Sequence, residues 1–285
     1  MSLRRVEVLG TLPAVAFRGT FAPLAPEPAP GTEVPPGWEG LYFPYDVPLA
    51  DLRPDGTPVR DGVLPEMALP RRMYVGEDAV FHRALRYGET AEQVVSAGSI
   101  TRKTGRSGEL VFADVVREYL VDGVPAVSST WHDVFLDVAT APSDRKETGG
   151  DSAPSADWTE PLRLDERQLF RFSALTFNTH RVHYDLAWVR EVEGLGGLLV
   201  HGPLLRILLL DAAVRHEVGD NVPGHNQAGP TEPGRVAEFS FRVHAPLLAG
   251  ADAVIAGTRH GQESEIRLLD VDGGLLARGV VTWSS

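Results

Sequence analysis

Residues Pro203–Glu217 read PLLRILLLDAAVRHE. Nine of the eleven positions from Leu204 to Val214 are apolar, and they fall on every side of a 3.6-residue spiral. A helix of that pattern is buried nearly all round. Pro203 suits its first turn, where a missing N–H has no partner to lose, and Gly202 stands just ahead of it. The apolar run Leu204–Leu210 is broken by Arg206 and is far too short to span a bilayer. Something else in the chain must wrap this helix.

The wrapping is legible on both sides of it. Val236–Val243, Ala253–Arg259, Glu265–Val271 and Leu275–Trp283 read as strands, with Asp272-Gly273 between the last two. Earlier, Val111–Val121 and Val124–Val138 flank another Asp-Gly turn, Asp122-Gly123. The connections are too short for helical crossovers, so the pairing is antiparallel. The two halves also echo each other. Phe81-His82-Arg83-Ala84-Leu85-Arg86-Tyr87-Gly88 matches Val243-His244-Ala245-Pro246-Leu247-Leu248-Ala249-Gly250 at His, Leu and Gly, and Thr130-Trp131 matches Thr282-Trp283. The offset falls from 162 to 150 residues along the chain, so the first half carries about a dozen extra residues, placed at Thr101–Leu110. Trp38–Tyr45 (WEGLYFPY) is a shorter, poorer counterpart of the buried helix. A helix wrapped by an antiparallel sheet, twice over, is α+β architecture. Ala139–Pro161 is polar and rich in Ser, Gly and Pro, which reads as a linker. The expected division is 1–138, a linker at 139–161, and 162–285. Ala22–Pro36 reads as a proline-rich surface segment.

Bulk properties narrow the function. The 285 residues carry a net charge of −12, which argues against general nucleic-acid binding. There are no cysteines, hence no disulfide, thiolate metal site or cysteine nucleophile. Met1–Gly10 lacks the apolar run of a signal peptide, and the reading is a cytosolic protein away from membranes.

The densest polar cluster is Phe172–Asp185, FSALTFNTHRVHYD, followed by Gly196–Pro203, GGLLVHGP. Histidines titrate near neutral pH, and a helix start offers free N–H groups to a developing anion. His183, His180, His201, Asn178 and Gly202 are therefore the candidates for proton handling and oxyanion stabilisation. Each also has a structural reading: His183 as a hydrogen-bonded core histidine, His180 as a loop buttress, Asn178 as a turn residue, and His201 as a backbone-bonded neighbour of the helix start. Tyr184 and Asp185 read as turn-holding residues. His180 and His183 lack the further ligands that zinc needs, so no metal is expected. Gly194, Gly196 and Gly197 form no dinucleotide fingerprint, and no serine-hydrolase elbow is present.

This cluster resembles the signature of the MaoC-like (R)-specific enoyl-CoA hydratases, roughly Gly-Asp-x-Asn-Pro-x-His-x-Asp followed by His-Gly at the start of a central helix. His183 falls on the family's catalytic histidine, Asn178 on its catalytic aspartate, His180 on its Asn, Arg181 on its Pro, and Gly202 on the glycine of its oxyanion hole. The Asn at 178 is a departure, and Thr-Phe-Asn-x-His-Arg-x-His-Tyr-Asp is similar to one branch, the mesaconyl-CoA hydratases and hydroxyacyl-thioester dehydratases type 2. Leu69–Met73, Phe81-His82, Lys103–Phe112 and His132–Val134 resemble that branch's N-terminal domain. The resemblance covers residues 36–285; residues 1–35 carry no such signal.

What the resemblance implies is a double hot-dog fold, hydration or dehydration of an acyl thioester without cofactor, one active site per chain in the second half, and a possible homodimer. The substrate arm is then carried on coenzyme A or an acyl carrier protein. Arg71, Arg72, Arg102, Lys103 and Arg106 in the first half, and Arg181 and Arg190 in the second, are the candidate cations for it, with Tyr184 and His201 beside the substrate. If the acyl group bears a carboxylate, Arg181 is the expected pocket arginine. A thioesterase on the same fold and an inactive acyl-binding protein remain alternatives, as does a carrier-protein dehydratase of lipid or polyketide synthesis.

Overall fold

The computed structural model describes residues 2–59, 62–105, 108–137, 156–218 and 234–284. The first half runs β1 (Ser2–Val8), α1 (Thr11–Phe21), a 3-10 turn (Trp38–Leu41), β2 (Arg71–Phe81), β3 (Thr90–Gly105), β4 (Gly108–Val121) and β5 (Val124–Leu136). The second runs β6 (Trp158–Arg163), α2 (Glu166–Thr176), a 3-10 turn (Arg181–His183), α3 (Leu186–Trp188) continuing into a π turn (Val189–Glu193), α4 (Gly202–Val218), β7 (Val236–Val243), β8 (Asp252–His260), β9 (Glu263–Asp270) and β10 (Leu275–Trp283).

The ten strands form one sheet in the order β1-β3-β4-β5-β2-β7-β10-β9-β8-β6. Counted outward from the central β2–β7 pair, the halves mirror each other strand for strand. That is the order a duplicated unit gives. The junction is antiparallel, with Glu77 opposite Phe241 and Ala79 opposite Phe239. The extra residues of the first half lie where the offset puts them, in the hairpin of β3 and β4, which outruns its counterpart β8–β9.

The core is built on α4. Leu204, Leu205, Ile207, Leu209, Leu210, Ala212 and Ala213 are each at most 2% exposed, so the helix is covered all round as its pattern requires. Phe239 and Phe241 of β7, Ile266 and Leu268 of β9, and Val281 of β10 belong to the same cluster. Arg206 is the exception within the helix. Its guanidinium is buried, and it lies 3.0 Å from Glu39 and 3.1 Å from Glu77, both in the first half. A cation in the interior requires such partners. Through it, α4 is anchored to both halves.

The counterpart of α4 in the first half is a single 3-10 turn, Trp38–Leu41, the shorter element that WEGLYFPY suggests. Two expectations need correction. The proline-rich segment Ala22–Pro36 is not wholly a surface feature, because Ala22, Ala25 and Val34 are buried. The C-terminal end of the expected linker, Trp158–Pro161, is the edge strand β6, paired with β8. Pro161 is tolerated because an edge strand has one side free of the ladder. Positions 139–155 of the linker lie outside the described residues.

Candidate active site

The polar cluster is positioned by α2 and its exit. Asp165 caps α2, accepting from the backbone N–H of Arg167 and Gln168, while the Gln168 side chain accepts the Asp165 N–H. The helix stops at Phe177, which adopts a left-handed conformation (φ 54°) and turns the chain into Asn178. The Asn178 Oδ1 accepts the His180 N–H at 3.0 Å, leaving the amide NH2 uncommitted by that bond. A loop of the first half clamps this segment. The Asp55 carbonyl accepts the Arg181 N–H at 2.7 Å, and the Gly56 carbonyl accepts the Thr179 hydroxyl at 2.9 Å. Gly56 has φ +85°, and a Cβ there would collide with the Thr179 carbonyl.

His183 lies on the 3-10 turn that follows. Its Nδ1–H donates to the Leu199 carbonyl at 2.7 Å, which fixes the tautomer and leaves Nε2 as the free, basic nitrogen. The ring stacks on His201 at 3.6 Å between centroids and meets His180 edge-on at 5.4 Å. Burial, reinforced by His180, brings its pKa down to about 3. His180 and His201 are lowered for the same first reason, burial. The site thus presents neutral imidazoles. His201 Nε2 is hydrogen-bonded to the Ser173 hydroxyl at 2.9 Å, a side-chain partner and not the backbone one expected.

The start of α4 faces the same space. The first N–H in the helical ladder is that of Leu205, bonded to the His201 carbonyl. The Gly202 N–H therefore precedes the ladder at the positive end of the helix. A Cβ at Gly202 would strike the Tyr74 ring of β2, so glycine is required for this approach.

A cavity of about 650 Å³ joins these groups. Asn178, His180, His183 and Gly202 line it from the second half; Arg71, Arg72, Tyr74, Arg117 and Trp131 line it from the first. The other expected substrate contacts lie elsewhere. Arg181, Tyr184 and His201 are not among the lining residues. The Arg181 guanidinium is paired with Asp185 at 2.6 Å and stacked on Trp188, and the Tyr184 hydroxyl donates to the Thr179 carbonyl. Arg181 is thus not a pocket arginine: its charge holds the loop. Lys103 is exposed near the tip of the β3–β4 hairpin, over the Phe112 ring, and Arg106 lies outside the described residues. Arg71 is paired with Glu193 and Arg72 with Asp133. Among the described residues no three His, Cys, Asp or Glu side chains are grouped to hold a metal ion, and no helix is long and apolar enough to cross a membrane.

Tyr74, Trp131, Arg117 and His244 also line the cavity, and sequence reasoning had not assigned them to it. Beyond Arg71 and Arg72, two signals point to the first-half contribution: the turn sequence Pro54-Asp55-Gly56, and Arg117 standing where strand alternation calls for an apolar residue.

The sequence profile of the hydroxyacyl-thioester dehydratase type 2 family matches residues 37–249. A mesaconyl-C(4)-CoA hydratase of Chloroflexus aurantiacus is 34% identical over 262 residues, covering 91% of this chain and 87% of that protein. Among solved structures, a MaoC-like dehydratase from Phytophthora capsici superimposes with a TM-score of 0.68 at 11% identity, over 100% of this chain and 95% of that one. A double-hotdog protein of Mycobacterium tuberculosis superimposes with a TM-score of 0.61 at 14% identity, over 99% and 95%.

Proposed function

This chain belongs to the hydroxyacyl-thioester dehydratase type 2 family, and from that premise we propose that it adds water across, or eliminates it from, a CoA-linked acyl thioester at the site around His183. The observation that carries the reading is the geometry of His183: its Nδ1 is held by the Leu199 carbonyl, its Nε2 is left free, and it lines a cavity shared with Asn178 and Gly202.

Hydration of an α,β-unsaturated thioester needs a base for water, donors for the thioester oxygen, and a proton for Cα. In this reading His183 Nε2 takes a proton from water as its oxygen bonds to Cβ. Electron density moves onto the thioester oxygen, which the Gly202 N–H and the end of α4 stabilise. The imidazolium then returns its proton to Cα as the enolate collapses. The Asn178 NH2 group donates to the water and orients it. Dehydration reverses these steps. Asn178 cannot ionise, so a carboxylate does not share the proton load, and His183 acts as the single carrier with His180 as a neutral neighbour. The division of labour we propose is one site per chain, with the first half shaping the acyl end. Cavity lining from both halves supports it.

The mesaconyl-C(4)-CoA hydratase relative suggests a short, carboxylate-bearing enoyl-CoA as substrate. The test is loss of conjugated enoyl absorbance with crotonyl-, mesaconyl- and longer enoyl-CoA thioesters. Turnover on at least one of them supports the reading. Release of free coenzyme A without hydration points instead to a thioesterase.

A further inference from the structure

In a hot-dog unit the concave face of the sheet normally closes on a long helix. The first half has only the turn at Trp38–Leu41 in that place, and its inner face is correspondingly polar. Gln93, Arg117, Ser129 and Asp133 are all buried there. On β4 the buried positions alternate as Val111, Ala113, Val115, Arg117, Tyr119, so a cation occupies a place the pattern reserves for apolar side chains. Burying a charge is costly unless something pairs with it.

The other cavity-lining arginines have found partners. Arg72 lies 2.6 Å from Asp133, Arg71 lies 2.9 Å from Glu193, and Arg5 bonds to the Gln93 side chain and the Pro44 carbonyl. Arg117 is 8% exposed, lines the cavity, and has a buried Nη1 with no hydrogen-bond partner. Its guanidinium sits 3.6 Å over the Trp131 ring, which compensates part of its charge. Among the described residues no carboxylate lies in ion-pairing range of it. Glu77, which feels its field, is already 3.1 Å from Arg206.

The route from chemistry to cation is continuous. Tyr74 backs Gly202 on one side and packs against Trp131 on the other, with ring centroids 5.1 Å apart. Trp131 in turn carries Arg117. We propose that Arg117, seated on Trp131, is the receptor for a carboxylate on the acyl group, so that the site selects short unsaturated acyl thioesters ending in a carboxylate over their uncharged counterparts. This rests on the hydratase reading above and assigns the residue that sets the substrate preference of that site. A guanidinium presents paired N–H donors that match a carboxylate. The Trp131 face holds it flat without using those donors.

The test compares crotonyl-CoA with fumaryl-CoA, which differ only in carrying a methyl or a carboxylate at the distal carbon. The expected result is a kcat/KM ratio favouring fumaryl-CoA in the wild type. In Arg117→Gln that ratio should fall by about 10–100-fold, the span of a lost charged hydrogen bond, and chiefly through KM. Arg117→Lys should fall between the two. Arg117→Gln alters a buried position, so wild type alone supplies a second measurement that does not depend on the variant's fold. Succinyl-CoA should inhibit crotonyl-CoA hydration at least about tenfold more tightly than butyryl-CoA. A wild type that hydrates crotonyl-CoA but shows no preference for either carboxylated ligand overturns the role of Arg117 and leaves the hydratase reading standing. So does an unchanged ratio in folded Arg117→Gln. A wild type inert on both enoyl substrates overturns the hydratase reading itself, and this inference with it.

Discussion

Gly202 and Gly37 occupy matching places in the two halves, each at the head of the segment that enters the concave face of its sheet. In the second half that segment is a 17-residue helix; in the first it is a four-residue 3-10 turn. The long helix fills its sheet with leucines and presents a helix N-terminus to a loop carrying Asn178, His180 and His183. The short turn leaves its sheet unfilled, and the space becomes cavity, lined by Arg72, Arg117, Trp131 and Asp133. In the proposed reading one architecture serves two ends of a reaction: the kept helix supplies the oxyanion donors, and the reduced one leaves room for the acyl group. Buried Arg206, held between Glu39 and Glu77, fixes the two halves in one geometry.

Substitutions on the two sides should separate these roles. His183→Ala should have the largest effect, a loss of about 10²–10⁴ in kcat with unchanged circular dichroism. If it keeps more than about a tenth of the activity, His180 becomes the better candidate. Gly202→Ala comes next. Its Cβ meets the Tyr74 ring and displaces the N–H ahead of the helix, and a lost oxyanion donor costs about 10²–10³ in rate. The matched change Gly37→Ala should break the symmetry of outcome. Gly37 has φ +91°, and a Cβ there would lie 3.2 Å from Leu210 Cδ2. The expected loss is in stability, about 1 kcal/mol or more by urea denaturation, with turnover per folded molecule kept. A large drop in the kcat of folded Gly37→Ala would contradict the assignment of all chemistry to the second half.

Asn178→Asp sharpens the comparison differently. A new anion beside His183 favours the imidazolium, so its pKa rises and the acid limb of the rate profile moves to higher pH. The smallest effect is on stability. His183 is neutral in the fold and ordinary, near 6.5, when unfolded. Its contribution is therefore fully present above pH 6.5 and is lost as pH falls from there toward 3, because the unfolded chain binds the extra proton. His180 and His201 shift in the same direction. Thermal melts should show Tm falling by several degrees across the upper part of that window. A Tm that rises on acidification contradicts the buried neutral state.

Much of this is legible in the sequence. The all-round apolar pattern after Pro203 identified the core helix, the Asp-Gly turns marked the hairpins, and the shrinking offset placed the extra residues in β3–β4. The Asn178–His183 spacing and Gly202 bring the proposed catalytic side together because they are local in sequence and share one loop–helix unit. The acyl side was hidden for the opposite reason. Tyr74, Arg117 and Trp131 sit on three different strands, and only pairing brings them to one face. Arg181 misled because a charge inside a motif looks like a ligand-binding charge, whereas Asp185 four residues on and the neighbouring Trp188 take it up locally. Strand β6 was missed because Pro161 and an exposed–half-buried alternation resemble a linker until an edge position explains them.

In the proposed chemistry His183 works as a neutral base with Nε2 free. The direct measurement is the pH dependence of kcat/KM for hydration of one enoyl-CoA by the wild-type protein, with circular dichroism followed at each pH. The expected profile has no inflection near 6.5 and is flat on the acid side until well below pH 5, since burial holds the pKa of the histidine far below its ordinary value. A folded protein whose activity halves near pH 6.5, or climbs as the medium is acidified, would show that His183 titrates in the working range and contradict it.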